Sequence, residues 1–362
     1  MSADPTWAGL GRGLLVLGAL WWAWAAYAWL TNTVDPEEGA VRLAMLGAAA
    51  AMLVASLAVP EAFGDDGVLF GAAYFLVRVL HIALYALAGR GDPDLLGAVS
   101  RMTPSATLGP VLIVAAGFAD GAQQITLWVV ALALDYLGVL IGRGAGWRVS
   151  PEHFAERHGL IIIIALGESI VALGVGAAGL PLTWQVAAAA VLGIAVVAAL
   201  WWAYFDFVAL LAARKLVEAA GVARAVLARD AYSYLHLPMV AGIVLFALGL
   251  KKALADVDDP LKTVPAVGLC GGVALYLLAH VVFRLRVLGG ISRGRSIAVI
   301  ALVGLLPAVA EIRAVAAVGL VAAVSAALIA YEAIHYREGR AQVRQLRGSP
   351  AAAEGHKAAE AG

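Results

Sequence analysis

The sequence predicts an all-α fold, a polytopic integral membrane bundle of about eleven transmembrane helices arranged as two repeats of parallel topology. Three observations predict it. The first is composition: 63% of the 362 residues are hydrophobic, 14% are charged and the mean hydropathy is +0.89, whereas soluble domains run near ~45–50% apolar and ~25% charged. The second is the recurrence of apolar runs long enough to cross a bilayer, which takes about 20 residues. The third is charge placement. When the runs are threaded back and forth, Arg12, Lys251, Lys252, Lys262 and Arg313 fall on one side, Arg78 lies inside a run, and the rest of the 25 Lys and Arg fall on the other. Such a bias marks the richer side as cytoplasmic and puts the C-terminus there.

Taken in order, the expected spans are 13–30, 41–59, 68–88, 103–119 and 122–142, then 159–178, 185–207, 231–254, 264–285, 296–310 and 312–334. The runs at 103–119 and 296–310 are the shortest signals, because Pro110 and Pro307 interrupt them. Residues 1–142 form the first expected repeat and 143–158 a cytoplasmic loop and helix start. There Ser150 can cap the helix, Pro151 suits its first turn and Glu152 favours the positive end of its dipole. Residues 159–336 form the second repeat, and 337–362, small and polar, read as a disordered cytoplasmic tail.

The two repeats rest on internal echoes. "LWWAWAAYAW" at 20–29 matches "LWWAYFDFVA" at 200–209, and "AYFLVRVL" at 73–80 matches "LYLLAHVV" at 275–282, which pairs Tyr74 with Tyr276 and Arg78 with His280. Two halves of equal topology are a common transporter plan, related by an axis along the membrane normal. Only the second half opens with a helix like 159–178, so the expected arrangement is five helices plus six, with the first half lacking its first helix. The Trp pairs at 21–22 and 201–202 read as interface anchors.

Ionisable residues inside spans are the candidates for chemistry, since they are costly in a bilayer. Glu168 lies in "HGLIIIIALGESIVALGVG", about 14 Å from either end of its span at 1.5 Å per residue. Ala165, Ser169, Ala172 and Gly176 make a stripe of small residues suited to close helix packing, and Glu168 lies about 60–70° from its centre. That predicts a carboxylate facing protein, either holding a proton or paired with a cation. Arg78 is the expected cation, and Glu168 and Asp135 are the acids nearest mid-membrane that could pair with it. His280, the repeat mate of Arg78, is suited to proton exchange near neutral pH or to a hydrogen bond between helices. On the cytoplasmic surface His153, Glu156 and Arg157 form a candidate gate or a solvated helix end.

Several classes are disfavoured. Zero net charge gives no support to a nucleic-acid partner. The single cysteine, Cys270, allows neither an intrachain disulfide nor a zinc signature, and H-x-x-E-x-H is not a metal-ligand spacing. No nucleotide-binding loop, nucleophile elbow or complete catalytic constellation stands in its required context, so neither a cofactor nor an enzymatic activity is expected.

The segment "EHFAERHGLIIIIALGESIVALG" resembles the signature of the bacterial low temperature requirement protein A family. "LWWAWAAYAW" followed by "DPEE", "SLAVPEAFGDDG" and "LWWAYFDF" are similar to its other recurrent segments, so the resemblance covers most of 14–285. His153, Glu156, Arg157, Gly167 and Glu168 fall on the family's recurrent positions. Members usually open with an acidic–aromatic "ELFFDLVFV"-like helix, which this chain lacks, in line with the missing first helix. The resemblance implies a multi-pass protein of the bacterial inner membrane, in a family named for growth in the cold rather than for a reaction. Buried ionisable residues in a two-repeat bundle favour a secondary transporter or proton- or ion-coupled permease, with Glu168 as the ion-binding carboxylate and Arg78 as counter-charge or anion site. The alternative is a non-transporting lipid-binding or assembly protein, or a membrane-embedded lipid enzyme. Expected partners are the bilayer and a small solute, ion or lipid, with a homo-oligomer left open.

Overall fold

A computed structural model describes residues 5–141 and 144–335; the expected tail lies outside them. Long apolar segments with no water to bond their backbone must satisfy it internally, which selects helices. Among the described residues eleven long helices result: α1 (Trp7–Leu30), α2 (Gly39–Ala58), α3 (Gly67–Ala88), α4 (Pro93–Ala116), α5 (Gly121–Ile141), α6 (Pro151–Ala177), α7 (Trp184–Phe205), α10 (His236–Ala255), α11 (Thr263–Leu288), α12 (Arg293–Val309) and α13 (Ala314–His335). Among the described residues the one β contact is an isolated bridge between Pro260 and Arg313. Each expected span therefore has its helix, and the chain is an all-α, multi-pass membrane bundle. Among the described residues nine helical segments are long and apolar enough to cross a membrane. The exceptions are α4, in which Pro104 and Pro110 stand among polar residues, and α12, which is only 17 residues long and carries Pro307.

Helix starts follow local chemistry. The side chains of Thr6, Asp92 and Thr183 accept hydrogen bonds from Gly9, Leu95 and Val186 N–H groups. Asp92 moves the start of α4 ten residues ahead of the apolar run. Ser150 occupies the expected cap position of α6, but its side chain makes no capping bond; its N–H instead donates to Asn32 Oδ1 at 3.1 Å, tying α6 to the end of α1. Between α7 and α10, where the sequence has no apolar run of span length, the chain forms α8 (Val208–Glu218), α9 (Gly221–Leu227) and a π-helical turn over Ala228–Tyr234. In α8, Val208, Ala212 and Leu216 are buried while Lys215 is exposed, an amphipathic pattern too short to register as a span.

The packing order is the same in both parts of the chain. α3 lies between α2 and α4, α4 lies against α5, and α1 leans on α3 and α5; likewise α11 lies between α10 and α12, α12 lies against α13, and α7 leans on α13 and α11. α6 packs against α10, α7 and α8. Between α1 and α2 an apolar groove of about 490 Å³ opens, bordered by Leu20, Trp24, Met45 and Met52, with Ile161 and Val240 at its far wall.

The tightest contact is between α10 and α11, and glycines make it possible. A Cβ at Gly249 would stand 2.3 Å from Leu269 N, one at Gly272 2.4 Å from Phe246 N, and one at Gly242 2.6 Å from Gly272 O. Helices in lipid associate through such backbone approach, because lipid gives no hydrophobic drive for it. The "GLCGG" segment carries the glycine spacing for this, although it lay unremarked in the sequence. Gly249→Ala is expected to lower unfolding free energy by about 1–3 kcal/mol through overpacking, read as a drop in midpoint when the purified protein is unfolded in detergent.

Candidate functional site

Among the described residues two buried arginine–carboxylate centres interrupt the apolar bundle. The first joins α3 and α5. Arg78, 2% exposed, donates from Nη2 to Asp135 Oδ1 at 3.2 Å, and Asp135, 1% exposed, accepts from Tyr74 Oη at 3.3 Å on Oδ2. Space for this carboxylate comes from α4, where a Cβ on Gly109 would lie 3.0 Å from Asp135 Cγ. Around the pair, aromatic and histidine side chains tie the helices by their own backbone: His81 Nε2 bonds Ala26 O, Tyr27 Oη donates to Val77 O, and Tyr136 Oη donates to Gly18 O.

The ion pair forms the wall of a cavity of about 60 Å³. Trp22, Trp29, Tyr85 and Trp147 give it an aromatic lining. From Arg78 it extends past Tyr85 toward Trp147, in the turn after α5, and Arg229 at the π-helical turn, which is the Lys- and Arg-rich side. Four buried polar atoms of its lining residues have no partner among the described residues: Arg78 Nε and Nη1, His81 Nδ1 and Tyr85 Oη. Buried polar atoms left unpaired cost about 1–3 kcal/mol each, so a cluster of them on one cavity marks a place for a ligand or water.

The second centre is built differently. Arg295, at the start of α12, holds Glu332 of α13 with two teeth, Nε to Oε1 at 2.7 Å and Nη2 to Oε2 at 3.1 Å. Its Nη2 also donates to Ala203 O of α7 at 2.8 Å, and its Nη1 meets His280 Nδ1 of α11 at 3.0 Å. Every nitrogen of this guanidinium is engaged. Arg295 and Glu332 are absent from the expected site: the arginine counts among the charges of the Lys- and Arg-rich side, and the acid, two residues from the end of the expected span 312–334, does not figure in that site. The usable signal was that Arg295 sits inside the first turn of an apolar helix, where an arginine needs an acid.

The remaining expected residues separate. Arg78 does pair with one of the two acids proposed for it, and that acid is Asp135. Glu168 is exposed on α6 and touches neither Arg78 nor its cavity. Helical phase explains the difference. Phe154, His158, Ile162, Leu166, Ser169 and Leu173 define the buried face, and Glu168 lies about 110° from its centre at 100° per residue. The small-residue stripe faces one flank of that interface, so proximity to the stripe does not bury Glu168; its neighbours Ile164, Gly167 and Val171 are exposed with it. His153 and Glu156 are exposed and 3.8 Å apart. Arg157 bends back to the last carbonyls of α1, donating to Ala28 O at 3.4 Å and Thr31 O at 3.5 Å, as a cation does at a helix C-terminus. Trp21 and Trp22, expected at the interface, are buried instead, Trp21 Nε1 donating to Ser233 O at 2.8 Å across to the π-helical turn; Trp201 and Trp202 are exposed.

Comparison with known proteins decides the family. The profile described as bacterial low temperature requirement A protein (LtrA) matches residues 1–330. The chain belongs to the LtrA family. A curated relative, an uncharacterized protein of Rhizobium meliloti (strain 1021), is 31% identical over 261 residues, which cover 67% of this chain and 62% of the relative. The chain thus spans less than two thirds of that relative's length. No solved structure matches the chain. In this LtrA protein the "EHFAERHG" signature occupies the first turns of α6, where His158 is buried and its Nδ1 bonds Phe154 O at 2.8 Å.

Proposed function

We propose that this LtrA-family protein is a secondary permease of the bacterial inner membrane, with its C-terminus in the cytoplasm and with Arg78 and Asp135 as its substrate- and proton-binding centre. The carrying observation is a mid-membrane ion pair that is only partly satisfied and faces a cavity. A structural pair would close its hydrogen bonds, as Arg295 does; Arg78, a lining residue of the cavity, makes one bond, and its Nε and Nη1 are buried without a partner among the described residues. The excess of Lys and Arg around the cavity's outer end supports cytoplasmic access. The matching packing orders of α1–α5 and α7 with α10–α13 support two repeats able to rock against each other. In that scheme α3 corresponds to α11 and α5 to α13, so Arg78 and His280, and Asp135 and Glu332, fall on corresponding helices, while Arg295 comes from α12, the counterpart of α4. Asp135 takes the ion-binding role that the sequence reading gave to Glu168.

Proteoliposome uptake tests the proposal. With an inward proton gradient and a panel of small organic acids, amino acids and cations, wild type is expected to exceed empty vesicles for at least one solute. Asp135→Asn is expected to abolish coupling to the gradient, and Glu168→Gln to retain most of the rate. Wild-type flux equal to that of empty vesicles for the whole panel rejects the permease. The apolar groove between α1 and α2 favours the second reading, a lipid-binding protein; a single lipid species retained through purification and absent from flux would support it.

A further inference from the structure

We propose that the cavity takes up a short-chain carboxylate together with one proton, the carboxylate binding Arg78 and the proton going to Asp135. This names the substrate class of the permease reading above and rests on it. Donors and acceptors are unequal here. Both Asp135 oxygens already accept, from Arg78 and Tyr74, while Arg78 Nε and Nη1 and Tyr85 Oη are unpartnered, and each of these residues is at least nine-tenths buried. His81 Nε2 donates to Ala26 O, so its unpartnered Nδ1 is an acceptor in the neutral ring. Spare guanidinium and hydroxyl donors call for an anion.

Charge balance then requires the proton. Arg78 and Asp135 together are neutral, so an anion entering alone would leave one uncompensated negative charge in a low-dielectric site. A proton on Asp135 restores neutrality and releases Nη2, which joins Nε as a fork matching a carboxylate. The second centre displays that engagement, with Nε and Nη2 of Arg295 on the two oxygens of Glu332 at 2.7 and 3.1 Å. Size follows from the cavity: about 60 Å³ accommodates on the order of four or five water-sized groups, which fits acetate or propionate, with the alkyl end against Trp22 and Trp29. The ionisable groups facing the pair are Tyr27 of α1, Tyr74, His81 and Tyr85 of α3, Tyr136 of α5 and, at the outer end, Arg229. From α4 the cavity receives Met102 and Ser105, neither ionisable near neutral pH.

The experiment uses the full chain in phosphatidylcholine nanodiscs, titrated with sodium propionate while tryptophan fluorescence and proton uptake are followed in weak buffer. Wild type is expected to saturate and to take up about one proton per propionate. Asp135→Asn is expected to bind propionate without proton uptake. Arg78→Lys, which keeps the charge and loses the fork, is expected to bind roughly tenfold more weakly. Should Arg78→Lys fail to fold, Tyr85→Phe carries the test, with binding weakened several-fold. Absence of saturation in wild type, proton uptake persisting in Asp135→Asn, or Arg78→Lys and Tyr85→Phe binding like wild type overturns the proposal. So does tighter binding of inorganic phosphate or chloride, or loss of propionate binding in phosphatidylglycerol nanodiscs at equal ionic strength, which would assign the site to a lipid headgroup. Propionate binding with proton uptake but no flux would reject only the permease, and flux of another solute without propionate binding would reject only this inference.

Discussion

Arg295→Met is expected to lower the unfolding free energy by about 3–5 kcal/mol, because it strands a buried carboxylate. Glu332 is 5% exposed and both of its oxygens bond Arg295; without the arginine neither bond remains. The same substitution removes the contact to His280 and the bond to Ala203 O, loosening α11 and α7 from α12 together. Replacing the whole set, Arg295→Met with Glu332→Leu and His280→Leu, is expected to recover most of the loss, since a buried pair exchanged for apolar groups of similar volume is often neutral. Denaturant unfolding in detergent checks both variants, and uptake by the triple variant checks the role. A loss below about 1 kcal/mol for Arg295→Met would mean that the network does not hold these helices. A folded triple variant with no uptake would move the second centre from architecture to function.

The same contrast shows what could be read from the sequence. Spans were legible because lipid imposes one rule, a long apolar helix; α8 and α9 escaped because short helices with exposed polar positions do not follow it. Arg78 stood out for the same reason, as a cation inside a span. Its partner was legible only as a choice between two acids, since sequence gives depth in the membrane but not which helices adjoin. Packing α5 against α3 by way of α4 settled it for Asp135. Glu168 was misplaced because a stripe of small residues can border an interface without centring it, and a shift of that size turns a buried residue outward. Arg295 and Glu332 were hidden by their closeness to helix ends, where charges ordinarily meet water. The four unpartnered atoms on the cavity could not be read at all, because a missing hydrogen bond is a property of three-dimensional neighbours.

Asp135→Ala is expected to cost about 3–5 kcal/mol, and Arg78→Met less, about 1–3 kcal/mol. The asymmetry follows from proton chemistry. A carboxyl left without its cation can take up a proton and remain hydrogen-bonded to Tyr74, whereas a guanidinium cannot usefully lose one. Asp135→Ala therefore leaves a fixed positive charge beside a cavity, with Arg78 bonded to nothing in its wall. Added propionate should then refold what the substitution unfolds, because an anion that binds only the native state stabilises it by about 2.7 kcal/mol at a hundredfold excess over its dissociation constant. Arg78→Met should show no such rescue, and the double variant should regain near-wild-type stability without uptake. Thermal unfolding with and without propionate separates these outcomes. Equal losses for the two single variants and no response of Asp135→Ala to the anion would make Arg78–Asp135 a brace like Arg295–Glu332, with its unpaired nitrogens left to water.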